Sequence, residues 1–193
     1  MIVISGYTRN TKYEEEIKCL EKGLKKWKIP YKFYPYNDRG TWVRNTMVKA
    51  EIVQKALQEN PKNEDVIWLD ADAEIFKKPK LFFELKEFDF HIGCFYHRKE
   101  LLSGTFIFRN TSITKELVDD WANDKEINWD QRKLQKFVED KYKWLLLGKI
   151  LKLPPEYIKI NPKGRDFTNL KCIIGHKQLS RITAPLNKDR QLK

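Results

Sequence analysis

The tetrapeptide Val66-Ile67-Trp68-Leu69 constrains the fold of this 193-residue chain more than any other segment. Alternate side chains leave a strand in opposite directions, so four apolar residues in a row read as a strand covered on both faces. Such a strand needs packed layers above and below it. The flanking sequence supplies them. Residues 2–5 form a short apolar run closed by Gly6, and Tyr13, Ile17, Leu20, Leu24 and Trp27 follow at helical spacing. Residues 31–36 read as a second strand, after which Asn45 is expected to cap a helix whose apolar stripe runs through Val48, Ile52, Val53, Ala56 and Leu57. Repeated alternation of this kind predicts an α/β domain with a central, mostly parallel mixed sheet flanked by helices. The second half is more mixed: residues 88–95, 105–108, 157–160 and 172–174 read as strands, and 113–121 and 130–138 as helices.

A chain this long builds one domain with a sizeable core. Its 41% hydrophobic and 34% charged residues exclude collagen-like and disordered classes. The domain is expected over 1–184, with a weakly ordered basic tail over 185–193. No apolar run approaches the roughly 18 residues of a membrane helix, and the richest, 144–153, is interrupted by Gly148, Lys149 and Lys152. The first residues lack a basic region followed by an apolar one, so a cytoplasmic protein is expected. Cys19, Cys94 and Cys172 have no metal-site or disulfide spacing and are expected to be buried reduced thiols.

The central run ends in Asp70-Ala71-Asp72-Ala73-Glu74. In an open α/β sheet, ligands sit beyond the carboxyl ends of the strands. Carboxylates two apart in extended chain share a face, so Asp70 and Asp72 can reach one divalent cation, and small Ala71 and Ala73 leave room for a diphosphate. Hard oxygen ligands select magnesium or manganese over zinc or copper. On the residues alone a second reading stands, in which Asp70 caps the turn and Asp72 and Glu74 are solvated.

The segment resembles the metal-binding DxD of GT-A-type glycosyltransferases, the nucleotide-diphospho-sugar transferase superfamily, and further pieces of 1–181 match in order. Residues 3–8 are similar to the first strand that meets the nucleotide. Trp42-Val43-Arg44-Asn45, with Lys49 beyond, is similar to a Trp-x-x-Asn helix start. Residues 102–110 look like the stretch that lines the sugar pocket, Trp129-Asp130-Gln131 like the Asp-Gln segment over the donor sugar, and Ile173-Ile174-Gly175-His176 like a late strand ending in a metal-binding His. The resemblance implies a metal-dependent, hexosyltransferase-like enzyme moving a sugar from a nucleoside-diphosphate sugar, UDP-sugar foremost, to an acceptor hydroxyl. It implies Mn2+ or Mg2+ on Asp70, Asp72 and His176. It also implies Tyr7 and Thr8 at the base and ribose, Arg44, Lys49 and Arg181 at the diphosphate, and Ser103, Gly104 and Gln131 at the sugar. Asp72 serves the metal-assisted chemistry, and Asp130 takes the acceptor proton if the enzyme inverts.

Each piece has a plainer reading. Tyr7 can pack, Lys49 can line a solvated helix face, Ser103-Gly104 can be a turn, and Asp130-Gln131 can start a helix. His91 and His97 are read as structural or surface residues. After His176 only a basic residue survives from the Gly and Lys-Pro of one related group, which puts Arg181 in question.

The net charge of +11 attracts phosphate-bearing partners. Residues 159–193 hold nine Lys and Arg against Asp166 and Asp189. A polyanionic acceptor is therefore expected, such as modified DNA or another nucleic acid, teichoic acid or another cell-surface glycan. Two other readings compete: a metal-dependent nuclease or phosphoryl transferase, and a non-enzymatic nucleic-acid-binding protein. The first lacks clustered acids beyond Glu74, and the second lacks a recognisable motif.

Overall fold

The computed structural model describes residues 1–160 and 171–179. In chain order, β1 (Ile2–Thr8) leads into α1 (Lys12–Lys26), β2 (Tyr31–Tyr36) and α2 (Trp42–Glu59). Then come β3 (Asp65–Leu69), β4 (Ala73–Ile75), α3 (Lys80–Glu84), β5 (Ile92–His97) and β6 (Glu100–Arg109). α4 (Ser112–Asn123), α5 (Asp130–Lys136), β7 (Ile150–Lys152), β8 (Lys159–Ile160) and β9 (Ile174–His176) complete it.

Six strands form one sheet in the order β2-β1-β3-β6-β5-β7, with β3 in the interior as expected. β1 runs parallel to β2 and β3, and β5 to β7, whereas β6 is antiparallel to both of its neighbours. β3 is buried throughout. Its side chains alternate between two cores: Val66 and Trp68 pack with α2 and α4, Ile67 and Leu69 with α1 and α3. That alternation is what an uninterrupted apolar run requires.

Local chemistry sets the helix ends. Thr11 caps α1 by accepting from the Tyr13 amide, with Glu14 and Glu15 in the first turn and Lys25 and Lys26 in the last. α2 starts four residues earlier than expected, because Thr41 accepts from the Arg44 amide and is the cap. Asn45 lies inside the first turn, where its side chain ties Arg39 and Asp38 to the helix.

The strand expected over 88–95 begins only at Ile92, after a 3-10 turn at Leu85–Glu87. β4, β7 and α3 were not legible in the sequence, and β4 is the consequential omission. It pairs antiparallel with β9, setting Ala73 opposite His176, while β8 runs parallel to β9. This second, three-stranded sheet joins the segment just after β3 to the late strands of the chain. Cys94 and Cys172 are buried, but Cys19 is exposed on α1, contrary to expectation. The proposed tail at 185–193 lies outside the described residues.

Candidate active site

A cleft of about 1540 Å3 opens beyond the ends of β1 and β3. It is lined, among others, by Tyr7, Thr8, Lys49, Asp70, Asp72, Ser103, Gly104, Asp130, Gln131 and His176. Residues from six separate stretches of sequence meet there.

Asp70, Asp72 and His176 each offer a ligand atom, and these atoms lie within 4.8 Å of one another. Asp70 directly follows β3, and its carbonyl accepts the Ala73 amide (2.9 Å), closing a turn. Its Oδ1 accepts from Trp68 Nε1 (2.7 Å) and pairs with Lys49 Nζ (3.0 Å). Loss of water pushes this carboxyl up, but the Lys49 ammonium, the His176 ring and the Trp68 N–H together hold it below the usual range. Asp72 is more enclosed, and its Oδ2 accepts the Leu179 amide (2.8 Å). Burial first, then the charge of Asp70, pushes it up to about 6.

His176 arrives through the β4–β9 pairing. The Thr105 hydroxyl donates its single hydrogen to the Tyr157 carbonyl (2.8 Å) and lies 2.9 Å from His176 Nε2. With that hydrogen committed, Thr105 accepts from His176, so the network assigns the proton to Nε2 and the lone pair to Nδ1. Nδ1 is buried with no hydrogen-bond partner among the described residues. Burial holds the ring at about 4, neutral at ordinary pH. A neutral imidazole with its second nitrogen fixed by a hydrogen bond is the form that ligates metal. Two carboxylates and this imidazole fit manganese or magnesium, and the orphaned Nδ1 is what a structural histidine would not leave.

Beside the triad lies a second charged cluster. Lys49 Nζ pairs with Asp130 (2.7 Å) and Asp70, and donates to Ser103 O (3.1 Å) and Oγ (3.0 Å). Burial alone would favour the neutral amine; Asp130 and Asp70 instead hold Lys49 above the usual lysine range. An ammonium has three donors, and these contacts use them. Lys49 is therefore a bridge between two carboxylates rather than an open diphosphate ligand. Ser103 Oγ also donates to Asp130 Oδ2 (3.1 Å). Gln131 accepts from the Ser103 amide and donates to Glu100, so the first turn of α5 clasps β6.

Arg44 does not reach the cleft. It lies five residues before Lys49, about 140° around a helix of 3.6 residues per turn, and is exposed. Trp42, seven residues before Lys49, shares the Lys49 face and lines the cleft, its ring meeting Trp129 edge to face at 5.5 Å. Arg181 lies outside the described residues. The stretch 102–110 divides: Ser103 and Gly104 reach the cleft, whereas Arg109 pairs with Asp65 (2.9 Å) and Asn110 donates to the Leu57, Asn60 and Pro61 carbonyls. Their role is structural.

Sequence reasoning missed Thr105 and Trp68. Trp68 was findable, since it shares a strand face with Asp70 two residues on. Thr105 was not, because its partner is 71 residues away.

The model of the nucleotide-diphospho-sugar transferase family matches residues 18–180. No curated protein sequence is significantly similar. Several solved structures are. A glycosyltransferase involved in glycosylation of the major capsid of PBCV-1 matches with a TM-score of 0.67 at 15% identity, over 92% of each chain. The Streptococcus pneumoniae glycosyltransferase GlyE matches at 0.61 and 14%, over 91% of this chain and 53% of its own. Galactosyltransferase LgtC, in complex with donor and acceptor sugar analogs, matches at 0.57 and 10%, over 98% and 94%. Identities this low speak for the fold alone, which is GT-A.

Proposed function

The chain belongs to the nucleotide-diphospho-sugar transferase family and is a glycosyltransferase; we propose from that premise that Asp70, Asp72 and His176 hold a manganese or magnesium ion serving a UDP-sugar donor. Two observations carry this reading: Asp70, Asp72 and His176 each place a ligand atom within 4.8 Å of the others, and Nδ1 of His176 is buried without a hydrogen-bond partner among the described residues. When bound, such an ion acts as a Lewis acid for the negative charge that grows on the departing diphosphate.

The chain's own residues do the rest. Tyr7 and Thr8, at the end of β1, form the wall for base and ribose. Ser103, Gly104 and Gln131 form the floor for the donor sugar, where the absent side chain at Gly104 admits a ring close to the backbone. Asp130, with Oδ2 held by Lys49 and Ser103, accepts hydrogen bonds from sugar hydroxyls and takes the acceptor proton if the outcome is inversion. In the transfer itself the bond from the anomeric carbon to the diphosphate breaks, a bond to the acceptor oxygen forms, and the acceptor loses its proton. Lys49 bridges the two carboxylates and so fixes their positions before substrate arrives.

The +11 charge supports a polyanionic acceptor, a nucleic acid or cell-surface glycan. Acceptor affinity is then expected to fall steeply between low and physiological salt.

The test is a melting-temperature panel of UDP, GDP, ADP and CDP, each with manganese or with chelator. A rise confined to UDP with metal supports the reading; a rise with another diphosphate overturns the choice of UDP, and no rise with any pair refutes the metal-nucleotide site. Donor hydrolysis by the parent and by Asp72→Ala then separates binding from chemistry.

A further inference from the structure

We propose that the apolar tip between α5 and β7 docks the protein on the surface of an anionic phospholipid bilayer. Trp144 is 77% exposed, Leu147 71% and Leu145 49%, three large apolar side chains within four residues. This is the segment whose apolar density stands out in the sequence, and the cleft makes no use of it. Most soluble surfaces carry such residues singly; clustered, they mark a contact surface.

The tip is held in shape. Tyr142 and Leu146 are buried in the core beneath it. The Leu146 amide bonds the Tyr142 carbonyl (2.9 Å), the Lys149 amide bonds the Leu146 carbonyl (2.9 Å), and Tyr142 OH donates to Asp120. Gly148, at φ 71° with open space where a Cβ would stand, turns the chain into β7, the edge strand of the sheet. Anchoring two residues inward presents Trp144, Leu145 and Leu147 outward from a fixed platform.

Charge selects the occupant. Residues 141–152 contain Lys141, Lys143, Lys149 and Lys152 and no acid. Asp120 pairs Lys141 and Asp89 pairs Lys149, and Glu139 and Asp140 precede the tip; Lys143, over the Trp144 ring at 5.7 Å, and exposed Lys152 remain. Apolar side chains led by Trp and ringed by lysines suit the interface of an anionic bilayer, where Trp rings sit at headgroup level and ammonium groups meet phosphates. A second copy of this chain carries the same +11 and offers these lysines no complementary charge. No helix among the described residues is long and apolar enough to cross a membrane, so the association is peripheral. The inference is independent of glycosyl transfer.

The full chain is sedimented with phosphatidylcholine vesicles and with phosphatidylcholine vesicles containing phosphatidylglycerol. Binding is expected only to the anionic vesicles, with tryptophan emission quenched by brominated lipid. Trp144→Ser/Leu147→Ser and, separately, Lys143→Glu/Lys152→Glu are each expected to weaken partitioning by about tenfold or more. Both lie at the surface, so their melting temperatures should match the parent and show that the fold is intact. Absence of parent binding overturns the proposal. So does equal binding by the Trp144/Leu147 variant, or a change in oligomeric state by sedimentation equilibrium that accounts for the tip without lipid.

Discussion

Gly104 lies flat against the imidazole of His176: a Cβ built on it would stand 3.0 Å from Cε1, 3.1 Å from Nδ1 and 3.3 Å from Nε2. The same residue accepts the Asp70 amide through its carbonyl (2.9 Å), so one stretch of backbone bears on two of the three candidate ligands. In Gly104→Ala the ring must give by a few tenths of an ångström, while Thr105 holds its far nitrogen in place. Manganese affinity, measured by titration calorimetry with UDP present, is expected to fall about tenfold or more, with the melting temperature of the metal-free chain little changed. Unaltered affinity, together with unaltered affinity in His176→Ala, would count against His176 as a ligand.

Asp72 makes a prediction with a definite sign. Its carboxyl is pushed up to about 6 in the folded chain, by burial and then by Asp70, against about 3.9 in an unfolded one. The folded state therefore holds the proton more tightly. The contribution is full below the unfolded value and is lost as pH rises through about 6. Asparagine carries no charge and keeps an oxygen for the Leu179 amide. With chelator present, Asp72→Asn should melt several degrees above the parent at pH 8, and the gap should close toward pH 4. With manganese the order should reverse, because only the parent gains a ligand. A gap that is absent or independent of pH in thermal melts counts against this account.

Lys49 is the sole ammonium that pairs with both Asp70 and Asp130 among the described residues. Removing one partner of a buried pair leaves the others uncompensated, which typically costs about 3–5 kcal/mol. Lys49→Met is expected to lose stability of that order in urea unfolding. Adding Asp130→Asn should recover part of the loss, since one orphaned charge goes with it. Neither variant should transfer sugar. If the double variant is no more stable than the single, the bridge does not carry the energy assigned to it.

The part of this site legible in the sequence is the part built from neighbours in the chain. Asp70 and Asp72 follow from the apolar run of β3, because burial on both faces forces the strand inside and puts its end at the cleft. His176 was reachable only through family order, since a three-residue strand, β9, delivers it opposite Ala73. Strands as short as β4 and β7 have too few residues to show a period. Arg44 was misplaced for a simpler reason: two basic residues near each other in sequence were grouped, although five positions on a helix point to different sides. The expected cap, Asn45, gives way to Thr41 in the structure; both residue types cap helices, so residue type alone does not place the start of α2. Thr105 carried no signal, being an ordinary strand residue whose importance rests on a contact across 71 positions.

The middle and the C-terminal end of β6 make a last prediction, because they do different work. Gly104 and Arg109 are five strand residues apart, about 17 Å at the usual rise. Arg109 Nε reaches Asp65 (2.9 Å), its other nitrogens donate to the Phe88 and Leu85 carbonyls (2.7 Å each), and its guanidinium stacks 4.1 Å over Phe90. Asp65 is buried and, among the described residues, has no other cation within ion-pairing distance. Arg109→Ala should cost on the order of 3 kcal/mol, read as a lowered denaturation midpoint, and leave the manganese-induced rise in melting temperature intact. Gly104→Ala should do the reverse, sparing stability and weakening the metal response. Loss of the metal response in Arg109→Ala, at a temperature where that variant is fully folded, would bring Arg109 back into the donor site.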